Sequence, residues 1–78
     1  MKIGVRILPR NEVLDTQGRA VERTLMQNGK DLKACRVGKF VQLDIEENDQ
    51  ERALAKAKEI TEFVLYNPLI ETYELEIL

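Results

Sequence analysis

Apolar and polar residues alternate at both ends of the chain, and this alternation predicts two strands. Near the N-terminus the apolar positions before Pro9 are Ile3, Val5 and Ile7. Near the C-terminus the apolar positions, separated by glutamates, are Tyr73, Leu75 and Ile77. Each strand is therefore expected to have one apolar face and one polar face.

A helical pattern follows the first strand. Asp15 stands where an N-cap is expected, the helix is predicted to run to about Asn28, and Gly29 provides its C-terminal stop. At 100° per residue, one arc is shared by Ala20, Val21, Thr24 and Leu25. Met26 falls on the opposite side, which indicates either a second buried surface or an exposed methionine.

A second helix is predicted after Asn48 and Asp49, and it ends before Asn67-Pro68 because a residue preceding proline avoids helical geometry. Its central apolar stripe consists of Ala53, Ala57, Ile60 and Val64, and it is widened by Leu54, Leu65 and Phe63. The resulting arc is wider than one sheet face covers. Either the helix is deeply seated or a partner covers its flank.

Two further strands are predicted in the middle of the chain, at Leu32 to Val37 and Phe40 to Glu46, joined through Gly38. The order of elements, βαββαβ, predicts an α+β, ferredoxin-like fold or a variant of it, with both helices on one face of an antiparallel sheet. In the usual arrangement the first strand lies between the third and the fourth. Opposite charges then lie side by side on the helix-free face, namely Lys2 and Arg6 beside Asp44, Glu74 and Glu76.

The size of the chain, 78 residues, predicts one domain over 1–78. A core this small is marginal alone, so a homo-oligomer, either a homodimer or a tetramer, is expected. The net charge of -2 and the few aromatic residues argue against nucleic-acid binding. The sequence lacks an apolar run long enough to span a membrane and a signal-peptide pattern at its start, so the cytoplasm is the expected compartment.

The chain offers few residues for chemistry. It has no histidine and no serine, and its one cysteine, Cys35, is expected to act as a small hydrophobic residue. The densest acidic cluster, Glu46 to Glu51, is interpreted as a solvated helix start and not as a metal site. Gly38-Lys39 lacks the other residues of a phosphate-binding loop. No catalytic, cofactor-binding or metal-binding residue is therefore predicted.

Three motifs carry a family resemblance. They are Leu14-Asp15-Thr16-Gln17-Gly18-Arg19-Ala20-Val21, then Cys35-Arg36-Val37-Gly38-Lys39, then Asn67-Pro68-Leu69-Ile70-Glu71-Thr72-Tyr73. In this order they resemble the PurS family, the small subunit of phosphoribosylformylglycinamidine synthase, over nearly the whole chain. Thr16 departs from the family pattern, which usually has proline there.

The resemblance implies a function in de novo purine biosynthesis. Similar proteins bridge a large synthetase subunit and a glutaminase subunit, and they aid transfer of ammonia between them. The complex uses glutamine and ATP to convert formylglycinamide ribonucleotide to formylglycinamidine ribonucleotide, with ATP and Mg expected on the large subunit. Candidate interface residues, carried over from the motifs, are Asp15, Gln17, Gly18, Arg19, Gly38, Lys39, Asn67, Glu71 and Tyr73.

Three of these candidates, Arg19, Lys39 and Asn67, have no obvious internal role and are expected to serve assembly more than folding. Gly18 lies in the first turn of the predicted helix, where glycine is unfavourable, and close approach of another backbone is the favoured explanation. The alternative function is a small-molecule-binding regulatory domain of the ACT type, which shares the order of strands and helices.

Overall fold

A three-stranded antiparallel sheet forms the centre of the molecule, which we describe from a computed structural model covering residues 1–78. β1 spans Lys2–Pro9, β2 spans Lys39–Asp44 and β3 spans Glu71–Ile77. The strand order is β2-β1-β3, so β1 is central, as the sequence predicted. The predicted class, an α+β fold with an antiparallel sheet and two helices, is confirmed, but the order is βαβαβ and not βαββαβ, and only the second helix packs closely on the sheet.

The two faces of β1 differ as the alternation predicted. Ile3, Val5 and Ile7 are fully buried. On the opposite face Lys2 is opposite Asp44 of β2, and Arg6 is opposite Glu74 of β3. The guanidinium of Arg6 also forms an ion pair with the carboxylate of Glu76. Charges on this face are therefore paired across neighbouring strands, and beside them the ring of Phe40 packs over Gly4.

The first helix, α1, spans Thr16–Gln27 and has a well-defined signal at each end. Asp15 caps its start, and Gly29 adopts a φ of 75° at its end. The amide of Gly29 donates to the carbonyl of Met26 at 3.2 Å, and that of Lys30 donates to Leu25 at 2.8 Å. This pair of hydrogen bonds is a Schellman motif, which requires the left-handed conformation that glycine adopts most readily.

The second helix, α2, spans Gln50–Ile60 and packs against the sheet through Ala53 and Ala57, both fully buried. Asp49 is its N-cap residue, but the Asp49 side chain accepts no capping hydrogen bond. Oε1 of Glu47 instead accepts from the amides of Asn48, at 3.1 Å, and Asp49, at 3.4 Å. Methyl side chains on the buried stripe allow the helix axis to lie close to the strands.

A π-helical turn over Thr61–Leu65 follows α2 directly and changes which side chains face the sheet. The predicted stripe continued from Ala57 to Ile60 and Val64, but Ile60 is 39% exposed and Val64 is 65% exposed. Thr61 is fully buried in their place, and its hydroxyl donates to the carbonyl of Ala57 at 2.8 Å. The buried positions Ala53, Ala57 and Thr61 follow one another at intervals of four residues, which leaves Ile60 beside the stripe, and Val64 lies within the wider turn. This half of the predicted stripe is therefore wrong.

The strand predicted at Leu32 to Val37 is absent. The chain from Lys30 to Gly38 has no regular secondary structure, and the following strand, β2, ends at Asp44 and not at Glu46. Gly38 lies in no hairpin turn and has no positive φ. The alternating pattern of this segment finds no neighbouring strand within the chain.

Candidate functional site

The candidate interface residues gather at one end of the sheet, where β1 ends at Pro9. One group surrounds the start of α1 and consists of Asp15, Gln17, Gly18, Arg19 and Gly38. The other surrounds the turn before β3 and consists of Lys39, Asn67, Glu71 and Tyr73. The fold therefore brings together motifs that are far apart in the sequence.

Asp15 joins the start of α1 to the segment that leads into β2. Its Oδ1 accepts from the amide of Gly18, and its Oδ2 accepts from the amide of Val37, each at 2.8 Å. These two amides, that of Gly18 first, hold the pKa of the Asp15 carboxyl below its ordinary value because they stabilise the charged form. Asp15 thus caps the helix, as predicted, and also positions residue 37.

Gly18 and Gly38 are positions where two chain segments come very close. A Cβ atom on Gly18 would lie 2.5 Å from the carbonyl oxygen of Cys35, and it would also collide with the Asp15 carboxylate. A Cβ atom on Gly38 would collide with the carbonyl oxygen of Ile7. The close approach predicted at Gly18 is confirmed, and the same reason applies to Gly38.

Arg10 connects the two groups of candidate residues. Its guanidinium donates to the carbonyl of Pro68 from Nε at 3.0 Å and from Nη2 at 2.8 Å. Arg10 also lines a cleft of about 310 Å³ beside the start of α1, together with Asp15, Arg19 and Arg36. Gln17 is exposed on the same turn of the helix. The cleft is rich in guanidinium groups and is also lined by Cys35, a composition suited to polar contacts.

Asn67 has an internal role that the sequence did not reveal. Its Oδ1 accepts from the amide of Leu69 at 3.0 Å, and its own amide donates to Oε1 of Glu71 at 2.8 Å. The other carboxylate oxygen of Glu71 lies 3.9 Å from Nζ of Lys39. The interpretation that Asn67 lacks an internal role is therefore wrong, whereas the head group of Lys39 remains half-exposed.

Tyr73 is partly buried in β3, where it packs edge to face against Tyr66 with ring centroids 4.7 Å apart. Burial is the main cause of a raised pKa for the Tyr73 hydroxyl, and the nearby Glu62 carboxylate adds to it. The aromatic pair anchors the end of the π-turn to the sheet. Tyr73 thus contributes to folding, whatever contacts its hydroxyl makes in an assembly.

No three acidic or cysteine side chains converge where they could hold a metal ion. Neither helix has the length and apolar character needed to cross a bilayer. The candidate site is a junction of polar loops, joined by the hydrogen bonds of Asp15 and Arg10, beside an exposed helix.

Comparison with known proteins assigns this arrangement to a family. The sequence model of PurS, described as phosphoribosylformylglycinamidine (FGAM) synthase, matches residues 2–78. The chain belongs to the PurS family. The PurS subunit of Bacillus subtilis is 34% identical over 77 residues, which cover 97% of this chain and 90% of the relative.

Solved PurS structures have the same fold. The crystal structure of the Thermotoga maritima PurS subunit has a TM-score of 0.93 at 33% identity, covering 99% of this chain and 90% of that chain. A chain in the PurLQS structure from the same organism has a TM-score of 0.90 at 32% identity, covering 99% of this chain and 95% of that chain. The resemblance inferred from the three motifs is confirmed, and the chain is a PurS subunit of FGAM synthase in purine biosynthesis.

Sequence reasoning missed two residues of the candidate site, which we call the PurS junction because it joins the start of α1 to the turn before β3. Arg10 follows a strand-ending proline, and nothing in that position indicates that its guanidinium reaches Pro68. Arg36 was noted only as part of a motif, yet it lies in the cleft and its positive charge helps to lower the pKa of Asp15. Both contacts depend on how distant segments meet, which local patterns do not encode.

Proposed function

We propose that this chain is the non-catalytic subunit that connects the glutaminase and synthetase subunits of FGAM synthase and aids the transfer of ammonia between them. The observation that carries the proposal is the exposure of α1. Of its 12 residues only Gly18 is buried. A helix that buries so little within its own chain is suited to contacts with other chains.

The apolar residues of α1 support this proposal. Leu14 just before the helix is 63% exposed, Val21 is 42% exposed and Met26 is 54% exposed. An isolated helix of this length is marginally stable in water, and amphipathic helices gain most of their stability from packing. An additional chain that covers α1 would supply that packing.

The backbone after α1 also supports the proposal that this chain contacts other chains. From Asp31 to Arg36 the amide groups donate no hydrogen bond to the backbone or to a side chain of the molecule. The outer edges of β2 and β3 also have no neighbouring strand. Unpaired strand edges and unpaired amides are the features through which chains associate by strand pairing.

The overall dimensions of the molecule favour a homo-oligomer, either a dimer or a tetramer, as the form in which it connects the two larger subunits. The molecule measures 48 × 25 × 15 Å and its radius of gyration is 15.6 Å. A compact chain of this length has a radius of gyration of about 12 Å. The difference reflects α1 and the segment after it, which extend away from the sheet, and a second copy packed beside them would restore compactness.

A bridge without catalytic residues is chemically useful to an amidotransferase. Ammonia released into bulk water at neutral pH is mostly protonated and is then no longer a nucleophile. Subunits that hold the glutaminase and synthetase sites together limit this loss. The name of the PurLQS structure from Thermotoga maritima, which contains a chain similar to this one, is consistent with such an assembly.

Comparison of two nitrogen donors tests the proposal. Product formation by the glutaminase and synthetase subunits is measured with glutamine or with excess ammonium salt, each with and without this chain. Omission should reduce the glutamine-dependent rate more than the ammonium-dependent rate. An undiminished glutamine-dependent rate without the chain would refute the bridging function.

Three further expectations accompany the proposal. The chain alone should have no ligase, ATPase or glutaminase activity. ATP and Mg should bind the large subunit, and the complex should operate in the cytoplasm. Ligase, ATPase or glutaminase activity of the purified chain alone would contradict the first expectation directly.

A further inference from the structure

The cleft beside the start of α1 concentrates positive charge in a chain whose net charge is -2. Three of the six arginines of the chain, Arg10, Arg19 and Arg36, are among its lining residues. The lining also has two carboxylates, those of Asp15 and Glu22, so the cleft has a balance of one positive charge, three minus two. All of its cationic groups are guanidiniums, and no lysine takes part.

The fold brings these arginines together from three separate segments of the chain. Arg10 follows β1, Arg19 lies near the start of α1, and Arg36 lies in the irregular segment before β2. Arg23, one turn further along α1, lies outside the cleft. Like charges that line one cavity repel each other, and a bound anion removes that repulsion. The convergence of the three segments, and not the charge of any single residue, is what distinguishes the cleft.

The guanidiniums have more donors than the carboxylates of the cleft accept. The side chains of Arg19 and Arg36 form no hydrogen bond or ion pair within the chain, so each keeps five N–H donors free. Both oxygens of Asp15 already accept from backbone amides, those of Gly18 and Val37. One carboxylate is thus left to accept hydrogen bonds from three guanidiniums. Because Asp15 occupies the start of α1, the attraction for an anion comes from the guanidiniums and not from the end of the helix.

Arg10 is held in position for contact with a ligand. Its Nε and Nη2 donate to the carbonyl oxygen of Pro68, at 3.0 Å and 2.8 Å, and its Nη1 donates to no group of the chain. A side chain fixed in this way loses little conformational freedom when a ligand binds. The cleft therefore has one preorganised guanidinium beside two exposed ones.

The size and composition of the cleft favour a small phosphate ester. Guanidinium groups match the oxygens of a phosphoryl group and bind them with paired hydrogen bonds. The volume of about 310 Å³ is at the lower end of the range for small-molecule sites, and Val13 and Leu14 provide apolar surface beside the arginines. We propose that this cleft binds the phosphoryl group of a small phosphate monoester, such as a sugar phosphate, through Arg10, Arg19 and Arg36.

Isothermal titration calorimetry on the purified chain tests the proposal, and its outcome does not depend on whether the chain connects the two larger subunits. Ribose 5-phosphate, inorganic phosphate and ribose are titrated at constant ionic strength. Ribose 5-phosphate should bind with a saturable isotherm, inorganic phosphate should compete with it, and ribose should not bind. The absence of saturable binding of ribose 5-phosphate at millimolar concentrations would overturn the proposal.

Two variants identify the site. Arg19→Gln and Arg36→Gln each remove a charge-assisted hydrogen bond to the ligand, so each should raise the dissociation constant of ribose 5-phosphate at least about tenfold. Both residues are exposed, and circular dichroism confirms that each variant is folded. Arg23→Gln is the matched control on the same helix, with the same change in charge outside the cleft, and it should bind as the wild type does.

The contrary outcomes are distinct. If Arg23→Gln weakens binding as much as Arg19→Gln does, the ligand responds to the general charge of α1 and the cleft is not a site. If ribose 5-phosphate does not bind, but Arg19→Gln and Arg36→Gln weaken binding to the synthetase or glutaminase subunit, the cleft is a protein contact. The phosphate site is then refuted, while the proposed bridging function stands.

Discussion

At the scale of single residues, a few backbone contacts determine how the PurS junction is built. Asp15 accepts one hydrogen bond from α1 and one from Val37, so a single carboxylate both starts the helix and holds the segment before β2. Gly18 and Gly38 permit the same segment to pass close to α1 and to β1. These residues position the exposed helix relative to the sheet.

Asp15→Asn should separate the two functions of the carboxylate. Asparagine is a good N-cap but replaces one acceptor oxygen with a donor, so the bond from Val37 is lost while the cap remains. Because the folded-state pKa of Asp15 is lowered, its contribution to stability is present above its ordinary value of 3.8 and is lost as pH falls through the lower folded pKa.

The check is the denaturant midpoint of wild type and Asp15→Asn between about pH 2 and pH 6. The wild type should be the more stable above pH 4, roughly, and the difference should shrink below that pH. Glu12→Gln, which removes an exposed carboxylate without these hydrogen bonds, serves as the control. Parallel profiles for wild type and Asp15→Asn would contradict the assigned role of Asp15.

Gly18→Ala should destabilise the fold by about 1–3 kcal/mol, because the added methyl group meets both the backbone carbonyl of Cys35 and the Asp15 carboxylate that caps the helix. Gly4→Ala is the matched control. A Cβ there would lie 2.6 Å from the ring tip of Phe40, a half-exposed side chain that can rotate away. Equal losses in thermal unfolding for the two variants would show that the close approach at Gly18 is unimportant.

At the scale of elements, sequence patterns predicted those features of helices and strands that depend on neighbouring residues. They missed the features that depend on residues distant in the sequence. The alternation in β1, the Asp15 cap and the Gly29 stop were all correct because each signal lies within the element that it defines. The strand at Leu32 to Val37 was wrong because a strand needs a paired neighbour, and the chain provides none there. The π-turn was missed because 3.6-residue periodicity assumes an uninterrupted helix.

Thr61→Val should test whether the π-turn is held by its buried hydroxyl. The change keeps the shape of the side chain but removes the hydrogen bond to the carbonyl of Ala57, so the free energy of unfolding should fall by about 1 kcal/mol. Thr72→Val on the exposed face of β3 is the control, and it should leave the free energy of unfolding nearly unchanged. If Thr61→Val is as stable as the wild type, the hydroxyl of Thr61 does not hold the π-turn.

At the scale of the whole molecule, the fold places most of its core under α2 and leaves α1 without cover. The three sequence motifs sufficed to identify the PurS family, and they converge at one end of the sheet. The extension of α1 away from that sheet was not predictable, because a helical pattern fixes an element but not what it packs against. The exposed helix, the unpaired amides and the free sheet edges together make this a molecule suited to assembly.

The most direct test of the bridging function is sedimentation velocity of a mixture of the glutaminase and synthetase subunits, with and without this chain. With the chain present, the account predicts a single faster-sedimenting species that contains all three proteins. Without it, the two larger subunits should sediment separately at the same concentrations. Equal co-sedimentation of the two larger subunits in the absence of the chain would contradict the account.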